Sequence, residues 1–339
     1  MTTIRDVARL AGVSPATVSR VLNDNPEVGG IYRDRVKGAI AQLDYRPNGL
    51  ARNLRRRATT VIGVIISDVA NPFFTGMVRA IEDVAHAAGF SAVLANADED
   101  LDKEVRYLEV AAAERMAGVV LSPASSKHTR IDVLAERGIP VVTVDRRLST
   151  ADVDSVVVAN RRAARQATEH LIAEGCRRIG FIAGPAETST AADRLAGYRQ
   201  ALRAAGRSAD PALVVPGGFR IEGGHEATAA LLSQPHRPDG LVVANNLMTL
   251  GAMQCLIENA VNVPDEIAVV GFDDFAWATT LRPALTVVSQ PIYDLGRQAA
   301  ELLLRRIGGE QFPARQVVLP TTLMVRGSSQ RRQSRDLRS

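Results

Sequence analysis

Residues 4 to 22 constrain this chain more than any other stretch, because they read as two short helices joined by a glycine turn. In the first, Ile4, Val7, Ala8 and Ala11 recur at i, i+3, i+4 and i+7, which gives one apolar face. Ala8 is small enough for a second helix to cross closely over it, and Gly12 can supply the positive φ of a tight turn. Ser14 is a good N-cap and Pro15 suits a first helical position, so the start of the second helix is defined. Val18, Val21 and Leu22 then point inward and leave Ala16, Thr17, Ser19 and Arg20 outward. Two helices crossing steeply can present the second to a DNA major groove. An ordinary helical hairpin capping a core would share much of this pattern, so the motif needs support from elsewhere.

That support lies in residues 46–57, Arg-Pro-Asn-Gly-Leu-Ala-Arg-Asn-Leu-Arg-Arg-Arg, directly before a strand-like run at Val61. The stretch Asp-Val-Ala-x-x-Ala-Gly-Val-Ser-x-x-Thr-Val-Ser-Arg-Val-Leu-Asn, from Asp6 to Asn23, the Leu-Ala-Arg-x-Leu segment near residue 50 and a long alternating strand/helix region complete the picture. From Ile4 to about Arg326 the chain resembles the LacI family of bacterial transcriptional regulators. The resemblance implies a small all-α helix-turn-helix head on an α/β body of the type I periplasmic-binding-protein kind. That body has two Rossmann-like subdomains with a ligand cleft between them. The expected organisation is a DNA-binding domain over 1–45, a hinge helix and linker over 46–60, and an effector-binding and dimerisation domain over 61–326. Its subdomains fall at about 61–159 and 160–288, with segments crossing back, and 327–339 reads as a disordered basic tail.

Alternation in the body supports a parallel sheet covered on both faces. Strands are expected at 61–67, 91–95, 118–122, 141–144, 178–183, 240–244 and 268–272. Helices are expected at 73–88, 102–113, 161–173, 194–205, 247–259 and 295–307, and a third head helix at 32–43. Before that helix stands Gly29-Gly30-Ile31-Tyr32, where many family members have a capping serine and a first-turn proline. Side-chain contacts of this loop with a DNA backbone are therefore not carried over.

Charge is split along the chain. Residues 1–60 hold 11 basic against 5 acidic side chains and residues 326–339 hold 5 against 1, so a net +4 conceals a body of −6. A basic head on an acidic body suits a DNA-binding module attached to a sensor. Cys176 and Cys255 are too few for a zinc site and fit a reducing compartment. The N-terminus is polar and no run approaches a membrane span, so the expected location is the cytoplasm, without membrane partners. No Gly-x-Gly-x-x-Gly follows a strand, no phosphate-cradling Walker loop is present, and the histidines (86, 128, 170, 225, 236) lack metal spacing. Neither an enzyme, a metal nor a cofactor is expected.

For DNA, Thr17 and Arg20 are candidates for base edges, since arginine can grip guanine O6 and N7 together, while Ser14 and Ser19 suit phosphates and Ala16 permits close approach. Thr3, Asn23 and Ala51 complete this set. Leu50 and Leu54 sit four apart on an arginine-rich segment too short to fold alone. In the family such a hinge helix orders on DNA and pairs with its copy, and the resemblance makes Leu54 a minor-groove wedge. Arg52 and Arg55 would then neutralise phosphates. A flexible basic linker is the competing reading of this segment.

For the effector, the resemblance assigns Arg146, Arg194, Asn245 and Asp273, each just beyond a strand or at a helix start. Arginine donors and an aspartate acceptor suit adjacent sugar hydroxyls. Phe73, Phe219 and Trp277 are candidate aromatic walls, although Trp277 equally suits core or subunit-interface packing. Many relatives carry aspartate at the place of Asn246. The implied protein is a dimeric, ligand-responsive repressor of a carbohydrate operon reading a pseudo-palindromic operator. A purine-responsive repressor (through Phe74, Arg194, Phe219 and Asp273) and a carbohydrate-binding protein without a regulatory role are the alternatives.

Overall fold

The computed structural model describes residues 4–22, 28–43 and 59–331. The chain divides into two compact units, Met1–Thr59 and Thr60–Ser339.

The first unit contains α1 (Ile4–Ala11), α2 (Pro15–Leu22) and α3 (Gly30–Gln42). Val7, Ala8 and Ala11 of α1 pack with Val18 and Val21 of α2 and with Val36 and Ala39 of α3. Gly12 has φ +62°, the Val13 N–H donates to the Ala8 carbonyl at 3.0 Å and the Gly12 N–H to that of Arg9 at 3.3 Å. These paired bonds close α1 as a Schellman turn, which requires the left-handed glycine. Helix α3 begins at Gly30, two residues earlier than expected, with Gly29 as a cap that has no side chain to bond the first turn. The Gly29 carbonyl instead accepts the Tyr32 and Arg33 N–H groups.

In the second unit, β1 (Val61–Ile66), α4 (Pro72–Ala87), β2 (Ser91–Asn96), α5 (Leu101–Ala113), β3 (Gly118–Leu121), α6 (Asp132–Ala135), β4 (Val141–Val144) and β5 (Asp154–Val158) come first. There follow α7 (Asn160–Ala173), β6 (Ile179–Ala183), α8 (Ser189–Ala204), a 3₁₀ turn (Pro211–Leu213), β7 (Val214–Pro216), α9 (Ile221–Leu232) and β8 (Gly240–Val243). The last elements are α10 (Asn246–Glu258), β9 (Ala268–Phe272), α11 (Ala276–Thr280), β10 (Thr286–Ser289), α12 (Ile292–Ile307), β11 (Gln316–Leu319) and β12 (Thr322–Met324). Two six-stranded sheets result, in the orders β11-β5-β4-β3-β1-β2 and β12-β10-β9-β8-β6-β7. Pairing is parallel except between β10 and β12. Central strands such as β3, β4 and β9 are buried along their whole length, as valine-rich apolar runs in a sheet covered on both faces should be.

Each sheet is the middle of one lobe. Leu295, Ala299 and Leu303 of α12 pack with Met77 and Ile81 of α4 and the valines of β3–β5, so α12 and β11 return to the first lobe, while β12 closes the second. The chain therefore passes between lobes after β5, after β10 and between β11 and β12.

Helix α9 was not expected, and its sequence explains why. Gly223 and Gly224 lower its intrinsic helicity, yet a Cβ at Gly224 would collide with the Met248 backbone and one at Gly251 with the Ile221 carbonyl. The glycines exist because α9 and α10 cross at backbone contact. The tail also departs from expectation. Ser328 and Ser329 are fully buried. The Val269 N–H donates to the Ser328 carbonyl and the Ser328 hydroxyl to the Val269 carbonyl, while Ser329 Oγ lies 2.7 Å from His170 Nε2. Hydroxyl-rich residues 327–331 are thus an ordered extension of the second lobe. Residues 332–339 lie outside the described part. Among the described residues no helix is long and apolar enough to cross a membrane.

Candidate ligand cleft and DNA-facing helix

Strand ends deliver the polar groups of the cleft. Asp68 follows β1, Asp145 and Arg146 follow β4, Asn245 follows β8, Asp273 follows β9 and Gln290 follows β10, and all six line one cavity between the lobes. Open α/β sheets place ligands at such carboxyl ends. Asn71 caps α4 by accepting the Phe73 N–H at 3.0 Å, which fixes the first turn of that helix over the cleft. Phe73 and Phe74 meet there edge to face with centroids 5.2 Å apart. Phe219 supplies a third ring from the opposite lobe. A Cβ at Gly184 would strike that ring, so the glycine makes room for it. The closed lobes leave room for about 30 Å³ between these side chains, roughly the share of one water molecule.

Two guanidinium groups are held almost out of solvent. Arg146 donates through Nη1 and Nη2 to the Glu99 carboxylate at 2.7 and 2.6 Å, and through Nη1 to the Pro123 carbonyl. Burial opposes its charge, but Glu99 and Asp145 outweigh that and raise its pKa. Arg194 Nε donates to Asn160 Oδ1 at 2.7 Å, Nη1 donates to the Ala244 carbonyl, and the group lies over the Phe272 ring. Burial pulls its pKa down, with Asp273 and Asp145 resisting. Asp273 Oδ1 accepts from Gln290 Nε2, and burial pushes its carboxyl up to about 6 against the pull of Arg194. Burial likewise raises Asp145.

Two further features mark the cleft as a place for a ligand. Seven described non-glycine residues have positive φ, and five of them (Asp98, Glu99, Asp145, Phe219 and Asp273) lie in or beside the cavity. Left-handed backbone costs energy in such residues and concentrates where geometry serves binding. In addition, Arg146 Nε and Gln290 Oε1 are buried without a hydrogen-bond partner, although both residues line the cavity. Orphaned buried polar atoms are costly unless a ligand uses them.

The lobes are clasped around this space. Arg220, at the start of α9, donates to Asp68 at 3.0 Å and to Asp98 at 2.9 Å. Asn246 donates to Asn71 Oδ1 at 2.9 Å, and the Arg147 N–H donates to Ser189 Oγ. A second, wider groove, lined by Arg147, Arg161, Arg162 and Arg165, shares Asp145 as a wall with the cavity.

Of the effector candidates, Phe73, Arg146, Arg194, Phe219, Asn245 and Asp273 all line the cavity. Trp277 does not: it is half-buried on α11 against the core of the second lobe, so the structure assigns it to packing. Arg194 sits in the second turn of α8 rather than at a helix start, because Thr188 caps that helix by accepting the Ala191 N–H. Asp68, Asn71, Glu99, Asp145, Thr190 and Gln290 line the cavity without having been named from sequence. Asp145 could have been found from its place beside Arg146 at a strand end, and Asn71 from its place before Pro72. Glu99 offered no such signal.

On α2, Ser14 Oγ accepts the Thr17 N–H at 3.1 Å and lies 2.9 Å from Thr17 Oγ1, so both hydroxyls take part in the cap. Ala16 and Arg20 are exposed. The side chain of Ser19, together with Thr3, Asn23, Leu50, Ala51, Arg52, Leu54 and Arg55, lies outside the described residues.

Comparison with known proteins agrees with both parts. Residues 3–48 match the model of bacterial regulatory proteins of the lacI family, and residues 59–327 that of periplasmic binding proteins and the sugar binding domain of the LacI family. A ribose operon repressor from Halalkalibacterium halodurans is 37% identical over 326 residues, covering 96% of each chain. Among solved structures, a transcriptional regulator CelR–cellobiose complex is 36% identical with a TM-score of 0.75, covering 97% of this chain and 100% of that one. The lac repressor dimer bound to operator and the anti-inducer ONPF is 29% identical with a TM-score of 0.84, covering 97% and 99%. A helix-turn-helix head and a two-lobed body matched over nearly their full lengths make this chain a member of the LacI family, a DNA-binding transcriptional regulator and not an enzyme.

Proposed function

We propose that this regulator is a dimeric repressor of a carbohydrate operon whose effector is a single neutral sugar ring, pentose-sized rather than a disaccharide. The convergent lining of the clasped cleft carries this reading: three phenylalanine rings and polar side chains from both lobes face one narrow space. Aromatic rings pack on the apolar faces of a sugar, while Arg194 and Asn245 donate to its oxygens and Asp273 accepts from its hydroxyls. A relative named for a ribose operon is in keeping with that size, and one solved with cellobiose marks the larger class. The head would read one half of a pseudo-palindrome through α2, with Arg20 and Thr17 on base edges, and Leu54 of each subunit would wedge the minor groove at the centre. Effector and operator affinities are then coupled reciprocally.

The test is thermal unfolding of the whole chain with pentoses, hexoses, disaccharides and purines, followed by operator retention in a gel with each compound that stabilises it. Ligand at about 100 times its dissociation constant adds roughly 2.7 kcal/mol, a readable rise in Tm. A pentose that raises Tm and changes operator retention is the expected outcome. Stabilisation by a purine alone, or by a disaccharide better than by any monosaccharide, would overturn the reading.

A further inference from the structure

A site for an uncharged sugar needs no net charge, yet this cleft holds an excess of carboxylate. Asp68, Glu99, Asp145 and Asp273 line the cavity against two guanidinium groups, Arg146 and Arg194. Counting Arg220 at the rim together with its second partner, Asp98, leaves the imbalance unchanged. These acids are not gathered around a metal: among the described residues no group of three or more His, Cys, Asp and Glu is placed to hold one.

Glu99 creates much of that imbalance. Its two oxygens take both terminal nitrogens of Arg146, a group only 2% exposed. Such a forked guanidinium is otherwise a natural clamp for a phosphate or carboxylate. Glu99 is also held at φ +60°, directly after Asp98 at φ +57°, where glycine would fit without strain. A long acidic side chain at that backbone costs stability, so its contribution is to be sought in the cavity it lines.

We propose that Glu99 is a specificity determinant that restricts the effector to uncharged polyhydroxylated compounds, by occupying Arg146 and setting the cavity against phosphorylated or carboxylated sugars. The inference rests on the reading of the cleft as a sugar site. A neutral ring donates hydroxyls to the carboxylates and accepts from Arg194. An anionic group meets surplus negative charge in a water-poor cavity and finds Arg146 already paired.

Calorimetry on the full chain compares D-ribose with D-ribose 5-phosphate and D-glucose with D-glucose 6-phosphate, for the wild type, Glu99→Gln and Glu99→Gly. The glutamine variant keeps the size of the side chain and removes its charge, while the glycine variant relieves the positive φ but leaves the buried Arg146 without its carboxylate, so thermal unfolding of each variant is recorded to show that it is folded at the temperature of the titration. The wild type is expected to prefer the neutral member of its bound pair at least 100-fold. Both variants should narrow that preference at least tenfold, mainly through tighter binding of the phosphate. Equal binding of neutral and phosphorylated sugars by the wild type, or an unchanged preference in both variants, overturns the role of Glu99 and leaves the sugar reading standing. Failure of both neutral sugars to bind the wild type removes the sugar reading beneath it.

Discussion

Acidification through pH 6 should loosen the cleft's hold on its effector, because Asp273 must be ionised to accept sugar hydroxyls. Its carboxyl faces Arg194, Gln290, Asp145 and the Asn246 backbone, and burial lifts it from the ordinary 3.8 to about 6. That displacement amounts to roughly 3 kcal/mol of preference for the protonated form in the ligand-free body. The sign for stability follows from linkage. A pKa higher in the folded chain than in the unfolded one gives a contribution fully present below about pH 4 and lost as pH rises through about 6. Effector affinity runs the opposite way, full above pH 6 and falling below it. With the carboxyl at about 6, Kd at pH 5 should be about tenfold that at pH 7. Titration calorimetry at pH 5, 6 and 7 on the wild type and Asp273→Asn measures this directly. Burial also raises Asp145 and Glu104, and any slope that survives in Asp273→Asn belongs to them. A Kd constant from pH 5 to 7, or a variant that keeps the full slope, would refute the assignment of Asp273 as a hydroxyl acceptor.

Two further perturbations probe the frame around the cleft. Gly224→Ala drives a methyl into the Met248 backbone where α9 crosses α10. Overpacking of this kind costs about 1–3 kcal/mol, a fall in Tm of roughly 2–5 °C for a body of this size, and an unchanged melting curve would mean the helices can part freely. Arg220→Ala removes the clasp to Asp68 and Asp98. Because Arg220 is 40% exposed, stability should change by less than about 1 kcal/mol, while effector dissociation in stopped flow should quicken several-fold; an unaltered off-rate would show that the clasp does not hold the lobes closed.

The parts of this molecule that were legible in the sequence share a physical cause. Runs such as 61–66, 141–144 and 268–272 are rich in valine or isoleucine and are followed at once by a polar residue, so their carboxyl ends could be located and the side chains just past those ends could be named. Arg146, Asn245 and Asp273 are of this kind, and they meet in one cavity. Strands β7 and β12 carry three residues each, too few for a period to show, whereas β5, β10 and β11 went unread although they are no shorter than the located β3, β4 and β8. Gln290 was lost with β10, although it stands directly beyond that strand as Asp273 stands beyond β9. Trp277 failed for a different reason. Proximity in sequence to Asp273 suggested the cavity, but α11 turns its ring onto the second lobe's core, and an amphipathic aromatic serves packing as readily as recognition.

Glu99 shows where pattern reading ends. Nothing in the stretch Asn-Ala-Asp-Glu-Asp distinguishes a solvated loop from a cleft wall, because the distinction lies in two successive left-handed residues and in an arginine 47 positions away. Left-handed backbone favours glycine, and glutamate is a poor choice for it on local grounds. The conflict resolves only in three dimensions, where the same turn that strains the backbone lets a carboxylate reach Arg146 and settle the charge of the cavity. Local misfit in the sequence coincides here with the place where ligand and protein must agree, which is where a departure from local preference carries information about function.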